Sequence, residues 1–265
     1  MRIKPFWRRP ESFFEDRRRL YREFLKTPFA EFPEMTSDER RGAPAPPLAK
    51  PAEEGKVARA LPDPSSAILL ERDIETCLRN RRSRRDFSHA PISLPSLSFL
   101  LWASHGVLEV IDGGRSTHRT VASSGARHPH ETCFFTPRVE GLERGLWRYL
   151  PLSHEVQLLR PISDLEASLR AGGLGQEHVG QGALVFAWTC IPRRAEWRYN
   201  MAAHKPMLID LGCICQNLYL AAEALGVGVC SIGGYDQPRM DALLGLDGEE
   251  EFVVHMATVG PLAED

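Results

Sequence analysis

The sequence predicts an α+β domain with helices packed around a central sheet, and three observations carry that reading. From residue 66 onward helix and strand signals alternate. The run Ala183–Ile191 (A-L-V-F-A-W-T-C-I) is apolar and has the length and composition of a strand. Residues Pro206–Leu225 form a long helix interrupted by only Asp210, Gln216, Asn217 and Glu223; so few polar positions place it in the interior.

Taken in order, residues 1–65 stand apart from residues 66–265. Arg17–Lys26 reads as a short basic helix. Residues 28–64 carry Pro28, Pro33, Pro44, Pro46, Pro47, Pro51, Pro62 and Pro64 with few periodic apolar positions. That composition makes an extended arm or linker, lying over its own domain or over a partner subunit. Ile68, Leu69, Leu70, Ile74, Cys77 and Leu78 fall on a helical period, with Ser65 or Ser66 as N-cap. Ser93 opens a helix over Leu94–Ser104 that stops near Gly106. Glu131–Val139, Gly145–Leu150 and Val156–Leu159 read as strands. Ser163-x-x-Glu166 is a capping box for a helix ending at Gly172-Gly173. Gly226 closes the long helix as a left-handed C-cap. Strands Val227–Ile232 and Phe252–Val259 complete the sheet, with a short helix near Pro238–Leu244 between them. No internal repeat is visible.

Composition excludes several classes. Lys and Arg total 33 against 35 acidic residues, a net charge of −2, so no general affinity for nucleic acid or anionic membrane is implied. No apolar run reaches the roughly eighteen residues that span a bilayer. Met1–Pro10 has no apolar signal core, and Cys77, Cys133, Cys190, Cys213, Cys215 and Cys230 form no C-x-x-C. Both point to a cytoplasmic chain with buried free thiols. His118, His128, His130, His178 and His204 lack metal spacing. Ser123 and Ser124 have no oriented His–Asp pair that would argue for a hydrolase.

The densest chemical signal is Arg81–Phe87 (R-R-S-R-R-D-F), at the end of the first domain helix. Guanidinium forks match phosphate oxygens two at a time, and Ser83 adds a neutral hydrogen bond. By itself the cluster reads more commonly as a solvated charged face, and only the other signals of the chain change that balance. A nucleic-acid patch conflicts with the near-neutral charge and the lack of aromatic stacking motifs.

Further local signals follow in order: Ala122–Pro129 (A-S-S-G-A-R-H-P), Trp197–Tyr199 (W-R-Y), Asp210–Val229, Ile232–Tyr235 (I-G-G-Y) and Leu244–Gly248 (L-G-L-D-G). As an ordered set over about residues 66–260 they resemble the nitroreductase superfamily. More narrowly they resemble its SagB-type branch, the flavin dehydrogenases of thiazole and oxazole peptide maturation. The resemblance implies an α+β sandwich with a central mixed sheet flanked by helices. It also implies an intertwined homodimer with FMN at the subunit interface.

The implied activity is that of an FMN-dependent oxidoreductase, transferring a hydride through flavin N5 to or from a small-molecule or peptide substrate, with NAD(P)H as a reductant. A non-catalytic flavin-binding docking subunit of a peptide-modification complex is the alternative. By resemblance Arg81, Arg82, Ser83 and Arg85 clamp the FMN phosphate, and Arg84 is a surface charge. Ser123, Ser124 and Gly125 contact the ring, with Ala122 in place of the family's usual proline. Ile232, Gly233 and Gly234 lie beneath it, offering a backbone N–H toward N5. The basic residues that many relatives carry after the last strand are missing from Pro261–Asp265, and Lys205 stands where the branch often has Arg. Arg198 and Tyr199 match the branch's catalytic Lys-Tyr pair, with Arg for Lys. An Arg stays charged and cannot act as a base, so Arg198 is expected to bind an anion and Tyr199 to supply a proton.

Overall fold

The computed structural model describes residues 11–27 and 29–263; Met1–Pro10, Pro28, Glu264 and Asp265 lie outside them. The strands are β1 (Ala58–Ala60), β2 (Val107–Ile111), β3 (Ser116–Arg119), β4 (His130–Phe135), β5 (Gly145–Leu150), β6 (Glu155–Pro161), β7 (Leu184–Cys190), β8 (Val227–Ile232) and β9 (Phe252–Pro261). The helices are α1 (Glu11–Phe24), α2 (Ile74–Asn80), α3 (Leu94–His105), α4 (Leu165–Gly172), α5 (Glu177–Gln181), α6 (Arg193–Tyr199), α7 (His204–Leu225) and α8 (Gln237–Leu244).

Seven strands form one sheet in the order β1-β6-β5-β4-β7-β9-β8, and β2 and β3 make a separate hairpin. The sheet anticipated as mixed is antiparallel at each of these pairings. Among the described residues the parallel contacts are single bridges, Ser83–Val229 and Ile92–Val139.

The period-two alternation of the central strands sorts side chains between two helical layers. Phe134, Leu184, Phe186, Trp188 and Val259 face Leu97, Leu100 and Leu101 of α3 and Ile214, Leu218 and Ala222 of α7. Phe135, Val185, Ala187 and Met256 face Leu165 and Leu169 of α4, Val179 of α5 and Met240 of α8. Strand β7 therefore reads as a continuous apolar run because both its faces are covered. Each such large side chain contributes roughly 1.5–3 kcal/mol by leaving water.

Helix α7 ends where Gly226 adopts φ +71 and donates its N–H to Ala222 O. A side chain there would meet both that left-handed backbone and Leu70 Cδ1 at 2.5 Å. One helical stretch, Arg193–Leu225, contains a window of mean hydropathy 1.3, half of it buried. This corrects the expectation of no span-length apolar segment: the few polar positions are too sparse to lower the average, and the apolar side packs on the sheet.

Two local expectations fail for capping reasons. Residues 67–73 are not helical; Leu70 and Glu71 donate their N–H groups to Ala224 O, and α2 starts only after Asp73, which caps Glu75 and Thr76. Ile68 and Leu70 are exposed rather than packed. The Ser163 capping box does not form, since Asp164 takes the N-cap position of α4. The Pro-rich arm lies over the chain's own body. Strand β1 extends the sheet beside β6, Lys50 N donates to Glu131, Glu53 N donates to Gln157, and Arg119 and Arg148 donate to Leu48 O and Pro51 O. All six cysteines are free; Cys213 and Cys215 are half-buried and the rest buried.

Candidate functional site

The site residues gather in two groups, separated along α7. The first lies by its C-terminal half, where the loop after α2 runs alongside β8. Ser83 bridges to Val229, Arg84 N donates to Val229 O at 2.8 Å, and Ser83 Oγ lies 3.0 Å from Tyr219 Oη. The Arg81 guanidinium sits 5.3 Å from the centre of the Tyr219 ring. Arg82 is exposed and folds back on the carbonyls of Arg79 and Arg81, while Arg85 approaches Cys230, whose thiol pKa stays raised by burial with Arg85 opposing the rise in part. None of Arg81, Arg82, Arg84 and Arg85 pairs with a carboxylate among the described residues, in contrast to the neighbouring Arg79–Glu75 pair.

Beside this loop, Ile232 ends β8 buried, and Gly233 and Gly234 are exposed, with no atom within 4 Å of where a Cβ would stand. The floor between α7 and strands β8 and β9 is an open cleft of about 320 Å³, lined in part by Gly212, Cys215, Tyr219, Ser231 and His255. His255 Nε2 lies 2.7 Å from Ser231 Oγ and 3.7 Å from Cys215 Sγ, its ring stacked on Trp188 at 5.8 Å. Burial lowers the His255 pKa, which favours the neutral imidazole. Ser231 N donates to Tyr219 Oη at 2.9 Å. Tyr219, Ser231 and His255 escaped the sequence reading. The signals were there for two of them, Tyr219 within the Asp210–Val229 stretch and Ser231 beside Ile232–Tyr235; nothing local marks His255. A larger apolar groove, about 540 Å³ between α2, α3, β2 and α7, contains none of the predicted site residues.

The second group lies by the N-terminal half of α7. Ser123 Oγ donates to Asp210 Oδ2 at 2.7 Å, and Ser124 donates its N–H and hydroxyl to the same carboxylate. Burial raises the Asp210 pKa, and these hydrogen bonds oppose the rise. Gly125, at φ +59, lies so close to Tyr199 that a Cβ would stand 2.3 Å from the phenol oxygen. Arg198 Nη1 donates to Gly125 O at 3.1 Å. Arg198 Nε also pairs with Glu39 of the arm at 3.1 Å. Lys205, half-buried in the first turn of α7, belongs to this end of the helix.

Asp210 and Tyr219 are nine residues apart on α7, about 13 Å along the axis, and Lys205 lies about 21 Å from Tyr219. One chain therefore brings Arg81, Ser83, Arg85 and Ile232–Gly234 together, and separately brings Ser123–Gly125 together with Arg198 and Tyr199. Along the helix between them, Leu208 and Ile209 are 47% and 56% exposed, and Gly212 and Gln216 also face solvent.

The sequence model of the nitroreductase family matches residues 78–260. The chain is 28% identical over 192 residues to MJ1384 of Methanocaldococcus jannaschii, which carries a nitroreductase name; the match covers 72% of this chain and 92% of that protein. It is 27% identical over 141 residues to the microcin B17-processing protein McbC of Escherichia coli, covering half of each chain. Among solved structures, a nitroreductase-named protein of Anabaena variabilis superposes with a TM-score of 0.66 at 25% identity, over 79% of this chain and 42% of that one. A Desulfovibrio desulfuricans protein of the same description, in complex with FMN, superposes with a TM-score of 0.51 at 16% identity, over 73% of this chain and 88% of that one. With more than half its length matched by the family model and its fold shared, the chain belongs to the nitroreductase family.

Proposed function

We propose that this chain is an FMN-dependent oxidoreductase of the SagB-type branch, acting on a small-molecule or peptide substrate with NAD(P)H as a reductant. The observation that carries the reading is the loop beside β8: arginines without carboxylate partners among the described residues and Ser83 held against Val229 and Tyr219, with the uncrowded Gly233-Gly234 backbone following the end of the same strand. Those residues fit a flavin mononucleotide. Arg81, Ser83 and Arg85 would hold its phosphate, and Ile232–Gly234, uncrowded at both glycines, would offer backbone N–H groups to its ring. Bound FMN would supply hydride transfer at N5. The FMN in the Desulfovibrio structure and the peptide-processing name of McbC support the cofactor and the branch.

The chain's own residues define the rest. Asp210 fixes Ser123 and Ser124, so the 123–125 loop is held rigid against α7. Tyr199, packed against Gly125, would offer its phenol to a bound substrate. We propose further that a second copy of the chain completes the site. The half-sites lie at opposite ends of an α7 face that stays exposed in one chain, so a two-fold pairing across that face joins one copy's clamp to the other's 123–125 loop.

The test is the visible spectrum and released cofactor of the purified protein, with its sedimentation. Expected are about one FMN per chain, a homodimer, and bleaching on addition of NAD(P)H. A colourless protein that FMN does not reconstitute overturns the functional reading. An FMN-loaded monomer overturns the shared site.

A further inference from the structure

The arm does more than cover the sheet: residues 32–43 dock on α6, beside the Arg198–Tyr199 pair. Trp197 Nε1 donates to Ala43 O at 3.0 Å, Glu39 N donates to Trp197 O at 2.9 Å, and Asn200 Nδ2 donates to Thr36 O at 3.3 Å. Arg40 ties the preceding turn together by donating to the carbonyls of Phe32, Pro33 and Met35. Its guanidinium covers one face of the Phe32 ring at 4.7 Å, and the same ring lies 5.8 Å from Tyr199. Ser37, at the heart of the turn, is buried. The segment is thus seated by backbone and side-chain bonds at both of its ends.

This seating settles what Arg198 presents. Its Nε is paired with Glu39 and its Nη1 is bonded to Gly125 O. The nearby Arg127 is likewise engaged: Nε donates to Gly125 O, Nη2 to Arg115 O, and the guanidinium lies over Trp197. Beside Tyr199 the surface therefore carries the Phe32 ring and an Arg198 whose charge is offset by Glu39. Resting on the oxidoreductase reading above, we infer that the arm determines specificity at this site: Phe32 is a wall of the substrate pocket, and Glu39 sets its preference for planar, uncharged substrates over anionic ones. On this reading an anionic substrate would have to compete with Glu39 for Arg198.

The experiment compares 4-nitrobenzamide with 4-nitrobenzoate, two acceptors of one shape that differ by one charge, on the full-length flavin-loaded protein. Glu39→Gln keeps the side-chain shape and the backbone bond to Trp197 but releases Arg198. The ratio of kcat/KM for the anion over the amide should rise about threefold to fivefold, the coupling of a half-exposed ion pair. Adding Arg198→Gln should cancel the rise. Independently, Phe32→Leu should raise KM for the amide about threefold or more without changing flavin content. An unchanged ratio in Glu39→Gln overturns the role of Glu39, and an unchanged KM in Phe32→Leu overturns the wall. A parent protein that binds no flavin or reduces neither acceptor fails the functional reading instead.

Discussion

Adding one methyl group at Gly125 probes whether Tyr199 is seated on the 123–125 loop as described. In Gly125→Ala the new Cβ would stand 2.3 Å from the Tyr199 oxygen, 3.0 Å from Cζ and 3.2 Å from Arg198 Cδ. The phenol must move by about 1 Å to restore an ordinary contact, a rearrangement that costs about 1–3 kcal/mol in a packed site. The backbone at φ +59 adds about 1 kcal/mol for any side chain. Together these predict a loss of about 2–4 kcal/mol, or a Tm lower by roughly 5–15 °C for a domain of this size. Tyr199→Phe removes the atom in closest conflict, so the double variant should recover about 1–2 kcal/mol while the backbone term persists. Thermal unfolding of the four proteins by circular dichroism measures the cycle. Strictly additive losses would show that the phenol does not rest on Gly125, and the shared placement of loop and Tyr199 would fall.

Replacing Arg81 and Arg85 together by Ala should weaken FMN far more than riboflavin, by about 2–4 kcal/mol once solvent exposure is discounted, as read by flavin fluorescence titration. Equal weakening of both ligands would remove the phosphate clamp. Glu131→Gln breaks a buried pair with Arg194, both residues under 5% exposed; the cost should be about 3–5 kcal/mol in denaturant unfolding, and a loss below 1 kcal/mol would contradict the burial of that pair. Burial lowers the pKa of His130 to about 4 and of His128 to about 3. The unfolded chain takes up these protons near pH 6.5 and the folded chain does not. Their stability is therefore full above pH 6.5 and is lost as the pH falls toward 4, about 2–3 kcal/mol for each by pH 4.5. Urea unfolding at the two pH values checks this; a slope that His130→Asn leaves unchanged would exclude His130 from it.

What the sequence made legible depended on how local the determining physics was. The long helix, its Gly226 cap and strand β7 were readable because periodicity, one left-handed glycine and an unbroken apolar run each suffice within a short window. The Arg81–Ser83 loop was found for its density of donors. The segment before it was misread: apolar residues at helical spacing also occur in extended chain, and Asp73 outcompeted Ser65 and Ser66 as a cap. His255 was invisible, since its partners Ser231, Cys215 and Trp188 come from three other elements. The separation of the site into two halves was equally hidden, because motif order along the chain does not say which end of α7 each motif meets. The prolines of residues 28–64 announced an extended arm, but not that its N–H and C=O groups would satisfy Glu131, Gln157, Arg119 and Arg148 inside the body.

The short strand β1 has a consequence for how this protein keeps to itself. A seven-stranded antiparallel sheet has two open margins, each a row of unpaired amides that can template another chain. On one margin Ala58–Ala60 pairs with Glu155–Gln157 and stops after three residues, too short to invite continued growth. On the other, Ser83 and Arg84 lie along β8, setting a charged loop where a foreign strand would have to dock. The residues that read from sequence as a linker and a phosphate clamp thus also act as bumpers. Removing the arm would uncover the Glu155–Gln157 margin of β6, leaving the sheet with an adhesive edge.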